Sequence, residues 1–285
     1  MRWRRAGGGE CASAASRSTR PPLPSHAQDW IGLPYGSRVA TRNGAGRALL
    51  LPPTPELWTR CLPHRTQILY AADVALVCSL LELAPGCAVL ESGTGSGALT
   101  HALARAVAPG GRVDTFEFHQ GRADAARAEF ERHGLADVVQ CHVRDVQSNG
   151  FGPGAGAGDA DAVFLDLPAP WLAVPSAATR LRPDGVLASF SPCVEQVQRT
   201  CRALADVGFG PPATHELLLR EHRVAREALV TDVLGREGKG GSGAGGGGAK
   251  RGRGADDAGK TVVARPMDVA RGHTGYLTFA RRAVD

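Results

Sequence analysis

Residues 88–97 read Ala-Val-Leu-Glu-Ser-Gly-Thr-Gly-Ser-Gly, and little else in the chain restricts the fold so tightly. The apolar run Ala88, Val89, Leu90 predicts a short buried strand. Gly93, Gly95 and Gly97 then fall at every second position, where a missing Cβ permits unusual backbone angles and close approach. Beyond them Ala98, Leu99, Ala102, Leu103, Ala106 and Val107 recur at helical spacing. The unit is strand, glycine turn, helix. Its G-x-G-x-G spacing matches neither the G-x-G-x-x-G of dinucleotide folds nor the phosphate loop that ends in lysine. Glu91, just before the turn, would repel a pyrophosphate. The ligand this stretch suits is an adenosyl group without phosphates, which points to S-adenosylmethionine; the plainer alternative is an ordinary strand–helix turn.

A chain of 285 residues can bury a sizeable core. Its net charge of +5 suits an anionic partner, with RNA the natural candidate. Lysine occurs only at 239, 250 and 260, so 30 of the 33 basic residues are arginine, a bias that GC-rich codon usage largely explains. The seven cysteines form no C-x-x-C pair and read as free thiols rather than disulfides or zinc ligands. No metal site is expected, and no apolar run has the length of a membrane span.

Residues 1–28 are rich in Arg, Ser, Ala, Gly and Pro and are expected to be disordered, with an organelle transit peptide as the alternative. Residues 29–70 form a short N-terminal β module and linker, with strands near Val39 and Ala48 on either side of an Asn43-Gly44 turn. The stretch Pro55–Gln67 sets Arg60, His64 and Arg65 beside Trp58. That mixture suits RNA contact, or equally a surface connection with one packed tryptophan.

From residue 71 to 285 strands and helices alternate: a helix at 71–83, strands at 89–91, 112–118, 138–143, 162–167 and 186–190, and helices at 121–133 and 193–207. This predicts an α/β domain built on a mostly parallel sheet. His215–Leu219 and Tyr276–Phe279 are predicted to pair as an antiparallel hairpin at the sheet edge. Between them, 235–259 is glycine-dominated and predicted to be a flexible loop.

Ligands of open parallel sheets bind beyond the carboxyl ends of the strands. Four carboxylates are predicted on that rim: Glu91, Glu117, Asp145 and Asp166. Each alone reads equally as a capping or solvated acid. Glu117 stands where an acid bonds ribose hydroxyls. Asp145 can accept from an adenine amino group, and Glu91 from the methionine ammonium. Asp166 is left for the substrate. It opens Asp166-Leu-Pro-Ala-Pro-Trp171, in which Pro168 stiffens the backbone and Trp171 offers a stacking face. A ring nitrogen with a free lone pair needs positioning more than a base. A carboxylate bonded to the neighbouring amino group supplies that, and stabilises positive charge on the base.

At these residues the chain resembles the catalytic subunits of eukaryotic tRNA (adenine-N1)-methyltransferases, which modify the T-loop adenosine at tRNA position 58. The matching stretches are Pro53–Trp58, Leu62–Tyr70, Glu91–Gly97, Glu117–Gln120, Phe164–Trp171, Ser189–Cys201 and Gly272–Phe279. The resemblance implies a Rossmann-like class I methyltransferase fold with a seven-stranded sheet and S-adenosylmethionine as cofactor. It implies cofactor contacts from Leu69, the loop Ser96-Gly97-Ala98, Glu117, Arg122, Asp145 and Val146, with Asp166 catalytic. Pro168, Trp171 and Arg65 are the expected substrate contacts. It further implies tRNA as substrate, a non-catalytic partner subunit in a two-plus-two heterotetramer, and action in the nucleus. The family's N-terminal β-barrel starts well before the match at Asp29, and residues 1–28 stand in its place here, as in a shortened gene product. Two alternatives remain: the same fold acting on another RNA, a protein or a small molecule, or a non-catalytic RNA-binding subunit.

Overall fold

The computed structural model describes residues 27–40, 46–152, 158–227, 261–269, 271–272 and 275–284. The disorder expected over 1–28 falls outside them but for two residues, and the glycine-rich 235–259 falls outside entirely. Contacts divide the described chain into two units, 27–217 with 275–284, and 218–272.

The first unit opens with the antiparallel pair β1 (Arg38–Ala40) and β2 (Arg47–Leu49), with the expected turn residues outside the described set. Helix α1 (Pro55–Cys61) follows; Thr54 caps it and Pro55 suits its first turn, signals the sequence reading passed over. Next come α2 (Ala71–Leu80), β3 (Ala88–Ser92), α3 (Ala98–Val107), β4 (Arg112–Glu117), α4 (Gln120–Arg132), β5 (Val139–Val143) and the one-turn α5 (Val146–Asn149). Then β6 (Ala160–Asp166), α6 (Val174–Arg180), β7 (Leu181–Ser191), α7 (Val194–Asp206) and β8 (Ala213–His215) complete the alternation. In the second unit β9 (Leu218–Leu219) pairs with β12 (Arg271–Gly272), and β10 (His222–Glu227) with β11 (Thr261–Pro266), both antiparallel. The last strand, β13 (Tyr276–Arg281), belongs to the first unit.

The main sheet has seven strands in the order β5-β4-β3-β6-β7-β13-β8. The first five are parallel to one another, and β13 runs antiparallel to both β7 and β8. The predicted run His215–Leu219 is therefore two short strands. Only Ala213–His215 joins the sheet, and Leu218 and Leu219 are exposed.

Side-chain alternation splits the core in two. Val89, Val113, Val139, Ala162, Phe164 and Ala188 pack with α2, α3 and α4 on one face. Leu90, Phe116, Val163, Leu165 and Leu187 pack with residues of α5, α6 and α7 on the other. The chain builds outward from β3 to β5 and then returns to lay β6 against β3. The β3–β6 junction is thus the switch point where such sheets bind ligands. Leu103 of α3 is fully buried, so Leu103→Ala should cost about 2–5 kcal/mol in chemical denaturation. The exposed Arg60→Ala should stay within about 0.5 kcal/mol of the parent.

Candidate active site

The glycine loop seats itself at the switch point through its missing side chains. Gly93 has φ +102°, and a Cβ there would stand 2.3 Å from the backbone oxygen of Asp166 at the end of β6. At Gly95 a Cβ would stand 2.5 Å from the Thr66 hydroxyl. Gly93 and Thr94 both donate backbone N–H groups to the Phe116 carbonyl of β4, at 2.9 and 3.3 Å. Gly97, at φ +75°, opens α3 with no side chain capping it.

Ser96 ties this loop to the N-terminal linker. Its buried hydroxyl accepts from the N–H groups of Arg65 and Thr66, at 2.8 and 3.0 Å. Arg65 itself turns inward, with Nη1 2.7 Å from the buried Glu129. Arg65 thus forms an internal ion pair at the position where the sequence suggests a substrate contact. Trp58 packs with Leu62, Ile68 and Ala98 and against the rings of His101 and His133, which makes it the packed tryptophan of the two readings. Arg60 and His64 remain exposed. Leu69 is buried in the main core. The Gly97 carbonyl can only accept, so His101 presents an Nδ1 proton to it at 2.6 Å. Burial, against that bond, lowers His101 to a pKa of about 4 and keeps the ring neutral behind the loop.

The four predicted carboxylates do not form one level row. Ser92 is paired with Phe116 and with Leu165, so Glu117 and Asp166 stand at the same height, one residue further out. Glu91 sits one residue below Ser92, paired with Thr115 and Phe164 and fully buried. A strand advances about 3.3 Å per residue, which puts Glu91 about two residues beneath the rim. Glu91, Glu117 and Asp166 do share the sheet face that packs on α3 and α4. Asp145 lies past β5 and caps α5, accepting from Gln147 and Ser148 backbone N–H groups at 3.0 and 3.3 Å and from the Ser148 hydroxyl at 2.7 Å. Chiefly the Ser148 hydroxyl holds its pKa below the ordinary carboxylate value. Val146, the first residue of α5, is buried beside it.

Their surroundings differ. Glu117 is buried but accepts from Arg122 Nη2 at 2.6 Å, from the His119 N–H at 3.1 Å and, through its other oxygen, from the Gly95 N–H at 3.1 Å. Glu91 has only hydroxyl partners, with Thr100 Oγ1 at 2.6 Å. Burial raises its pKa to about 7; hydrogen bonds from Thr100 and Thr115 oppose the shift and the charge of Asp166 adds to it. Asp166 is half-buried, and desolvation raises it to about 6.

Beyond Asp166 the chain turns outward. Pro168 is exposed, and Trp171 lies on a short 3-10 turn, Pro170–Leu172, with the Arg199 guanidinium 5.1 Å from its ring centre. Gln147 and Gln196 bond the backbone of this segment. These two, with Thr66 and Glu129, contact the loop and segment around the site but were not singled out from the sequence, because isolated polar side chains carry no local signal of a tertiary partner.

The donor set discriminates between ligands. Three carboxylates converge at the switch point, and the nearby guanidiniums of Arg122 and Arg65 are already bonded to Glu117 and Glu129. A pyrophosphate would meet net negative charge, whereas a sulfonium and an ammonium would relieve it. Among the described residues no group of three or more His, Cys, Asp or Glu is placed to hold a metal, and no helix is long and apolar enough to cross a membrane. Gly93→Ala should push the loop off the Asp166 carbonyl. By calorimetry, affinity for S-adenosylmethionine should fall about tenfold or more, some 1.4 kcal/mol.

The family model described as "tRNA methyltransferase complex GCD14 subunit" matches residues 46–282. The tRNA (adenine(58)-N(1))-methyltransferase catalytic subunit of Dictyostelium discoideum is 42% identical over 261 residues, 88% of this chain and 84% of that one. Its counterpart in Cryptococcus neoformans is 46% identical over 197 residues, 68% of this chain but 45% of the relative, so the chain spans less than half of that protein. Among solved structures, a SAM-dependent O-methyltransferase from Thermotoga maritima superposes with a TM-score of 0.67 at 27% identity, covering 88% of this chain and 79% of the other. The tRNA (m1A58) methyltransferase of Aquifex aeolicus shares the fold, with a TM-score of 0.65 at 24% identity, covering 90% and 85%. Matched over most of its length by sequence and by fold, the chain belongs to the family of tRNA methyltransferase complex GCD14 subunits.

Proposed function

We propose that this chain is the catalytic subunit of a tRNA methyltransferase that transfers a methyl group from S-adenosylmethionine to N1 of the adenosine at position 58. The observation that carries the reading is Asp166. It closes β6 directly against the cofactor loop at Gly93 and opens onto the Pro168–Trp171 segment. Cofactor contacts fall to the glycine loop, Glu117 with Arg122, Leu69, and Val146 beside Asp145. When bound, S-adenosylmethionine supplies a methyl group carried on a sulfonium. Glu117 keeps acceptor capacity on the oxygen bonded to Gly95, which suits ribose hydroxyls.

Adenine N1 has its own lone pair, so no side chain needs to remove a proton first. Asp166 accepts a hydrogen bond from the exocyclic amino group and thereby turns N1 toward the methyl donor. As an anion it also stabilises the positive charge that methylation leaves on the base. Trp171 supplies a face for stacking. The relatives are named as subunits, which supports a partner that helps hold tRNA. Two copies of each chain is the arrangement we infer, and native mass would read it.

The test is methyl transfer from labelled cofactor to unmodified tRNA, with and without the partner, with the modified base mapped. Asp166→Asn and Asp166→Ala should lower kcat about 100- to 1,000-fold while cofactor affinity changes little. Unchanged turnover would overturn the assignment. A carboxyl whose pKa is raised to about 6 becomes neutral as pH falls through that value. For the parent, kcat/KM should therefore drop about tenfold per pH unit below about pH 6. The limb should persist in Glu91→Gln and vanish in Asp166→Asn.

A further inference from the structure

The segment Leu167–Trp171 has few backbone bonds of its own. Pro168 and Pro170 carry no N–H, and the first local bond is Leu172 N–H to the Ala169 carbonyl, at 3.1 Å. Two glutamine side chains from opposite sides supply what is missing. Gln147 of α5 accepts from the Ala169 N–H through Oε1 at 2.7 Å. Gln196 of α7 donates from Nε2 to the Pro168 carbonyl at 2.9 Å, while its Oε1 accepts from the Cys193 N–H at 3.1 Å.

The polarity of each amide follows from its partner. A backbone N–H can only donate, so it must face Oε1; a backbone carbonyl can only accept, so it must face Nε2. The two clamps are thus chemically opposite. Each also reaches back to another part of the machinery. Gln147 follows Asp145 and Val146, the residues proposed above as cofactor contacts. Gln196 completes the capping box of α7, the helix whose Arg199 lies over Trp171.

We propose that Gln147 and Gln196 are positioning residues for methyl transfer. They hold the Pro168–Trp171 segment at a set height above Asp166, and Gln147 links that height to the cofactor end of β5. This rests on the reading of Asp166 and Trp171 as the adenosine site. A reacting base held by this segment would be misplaced if either clamp were released, and small misplacements of reacting atoms are costly.

The opposite polarities give a test that general weakening of the fold would not mimic. The complete complex, with its partner subunit, is assayed on unmodified tRNA as Gln147→Met, Gln147→Glu, Gln196→Met and Gln196→Glu. Glutamate keeps the acceptor needed at 147 but removes the donor needed at 196. Gln147→Met, Gln196→Met and Gln196→Glu should each lose about ten- to a hundredfold in kcat, with the cofactor dissociation constant within about threefold of the parent. Gln147→Glu should stay within about threefold in kcat. Amide hydrogen exchange gives a readout apart from turnover: the Ala169 N–H should be protected in the parent and in Gln147→Glu, and exposed in Gln147→Met. Parent-like kcat in both Gln147→Met and Gln196→Glu would overturn the positioning role alone. So would equal loss in all four variants together with weakened cofactor binding. A parent complex inert toward tRNA would instead overturn the functional reading beneath it.

Discussion

A single hydrogen atom's width separates β3's glycine loop from the carbonyl that ends β6. Any larger group at Gly93 would meet the Asp166 oxygen at 2.3 Å. Because that space is empty of side chain, the glycine loop and the end of β6 that carries Asp166 share one backbone contact and take their positions from each other. The sheet order makes this possible. The chain must leave β3 toward one edge and return on the other side before two parallel strand ends can open beside each other.

Around that contact the protein sorts like charges by depth. Glu117 meets an arginine directly; Glu91 and Asp166 are met by hydroxyls or by little at all, and desolvation raises both pKa values. Such an arrangement concentrates unfavourable electrostatics at the strand ends. A cationic ligand relieves it on arrival, so part of the affinity for such a ligand is prepared before any direct contact forms.

How much of this was legible from residues alone divides along physical lines. The parallel core was readable because buried strands are runs of Val, Leu, Ala and Phe, and because Gly93, Gly95 and Gly97 signal positive-φ backbone and close approach that other side chains rarely allow. The common face of Glu91, Glu117 and Asp166 was half-legible: strand ends could be guessed, but register depends on pairing partners, and the two-residue depth of Glu91 emerged only from its pairing with Thr115. The Arg65–Glu129 pair was not legible because a surface-like cluster of charge gives no hint of a buried acid 64 residues later. Helix α1 is only seven residues long, so its Thr54 cap and Pro55 stood without a sustained apolar stripe behind them. In the second unit β9 is two residues long and exposed and β10 and β11 are mostly exposed, so no alternation of buried and exposed side chains marked them.

The Ser96 hydroxyl has a consequence for where this protein can be cut. Regular alternation begins at residue 71, and a boundary drawn there looks natural. Yet the amides of Arg65 and Thr66 end on Ser96, and Trp58, Leu62 and Ile68 cover Ala98 at the start of α3. A fragment beginning at residue 71 would keep every strand of the main sheet and still lose the clasp that shapes its ligand loop. The smallest piece that preserves the site therefore starts ahead of α1, and the preceding linker acts as part of the methyltransferase domain rather than as its leash.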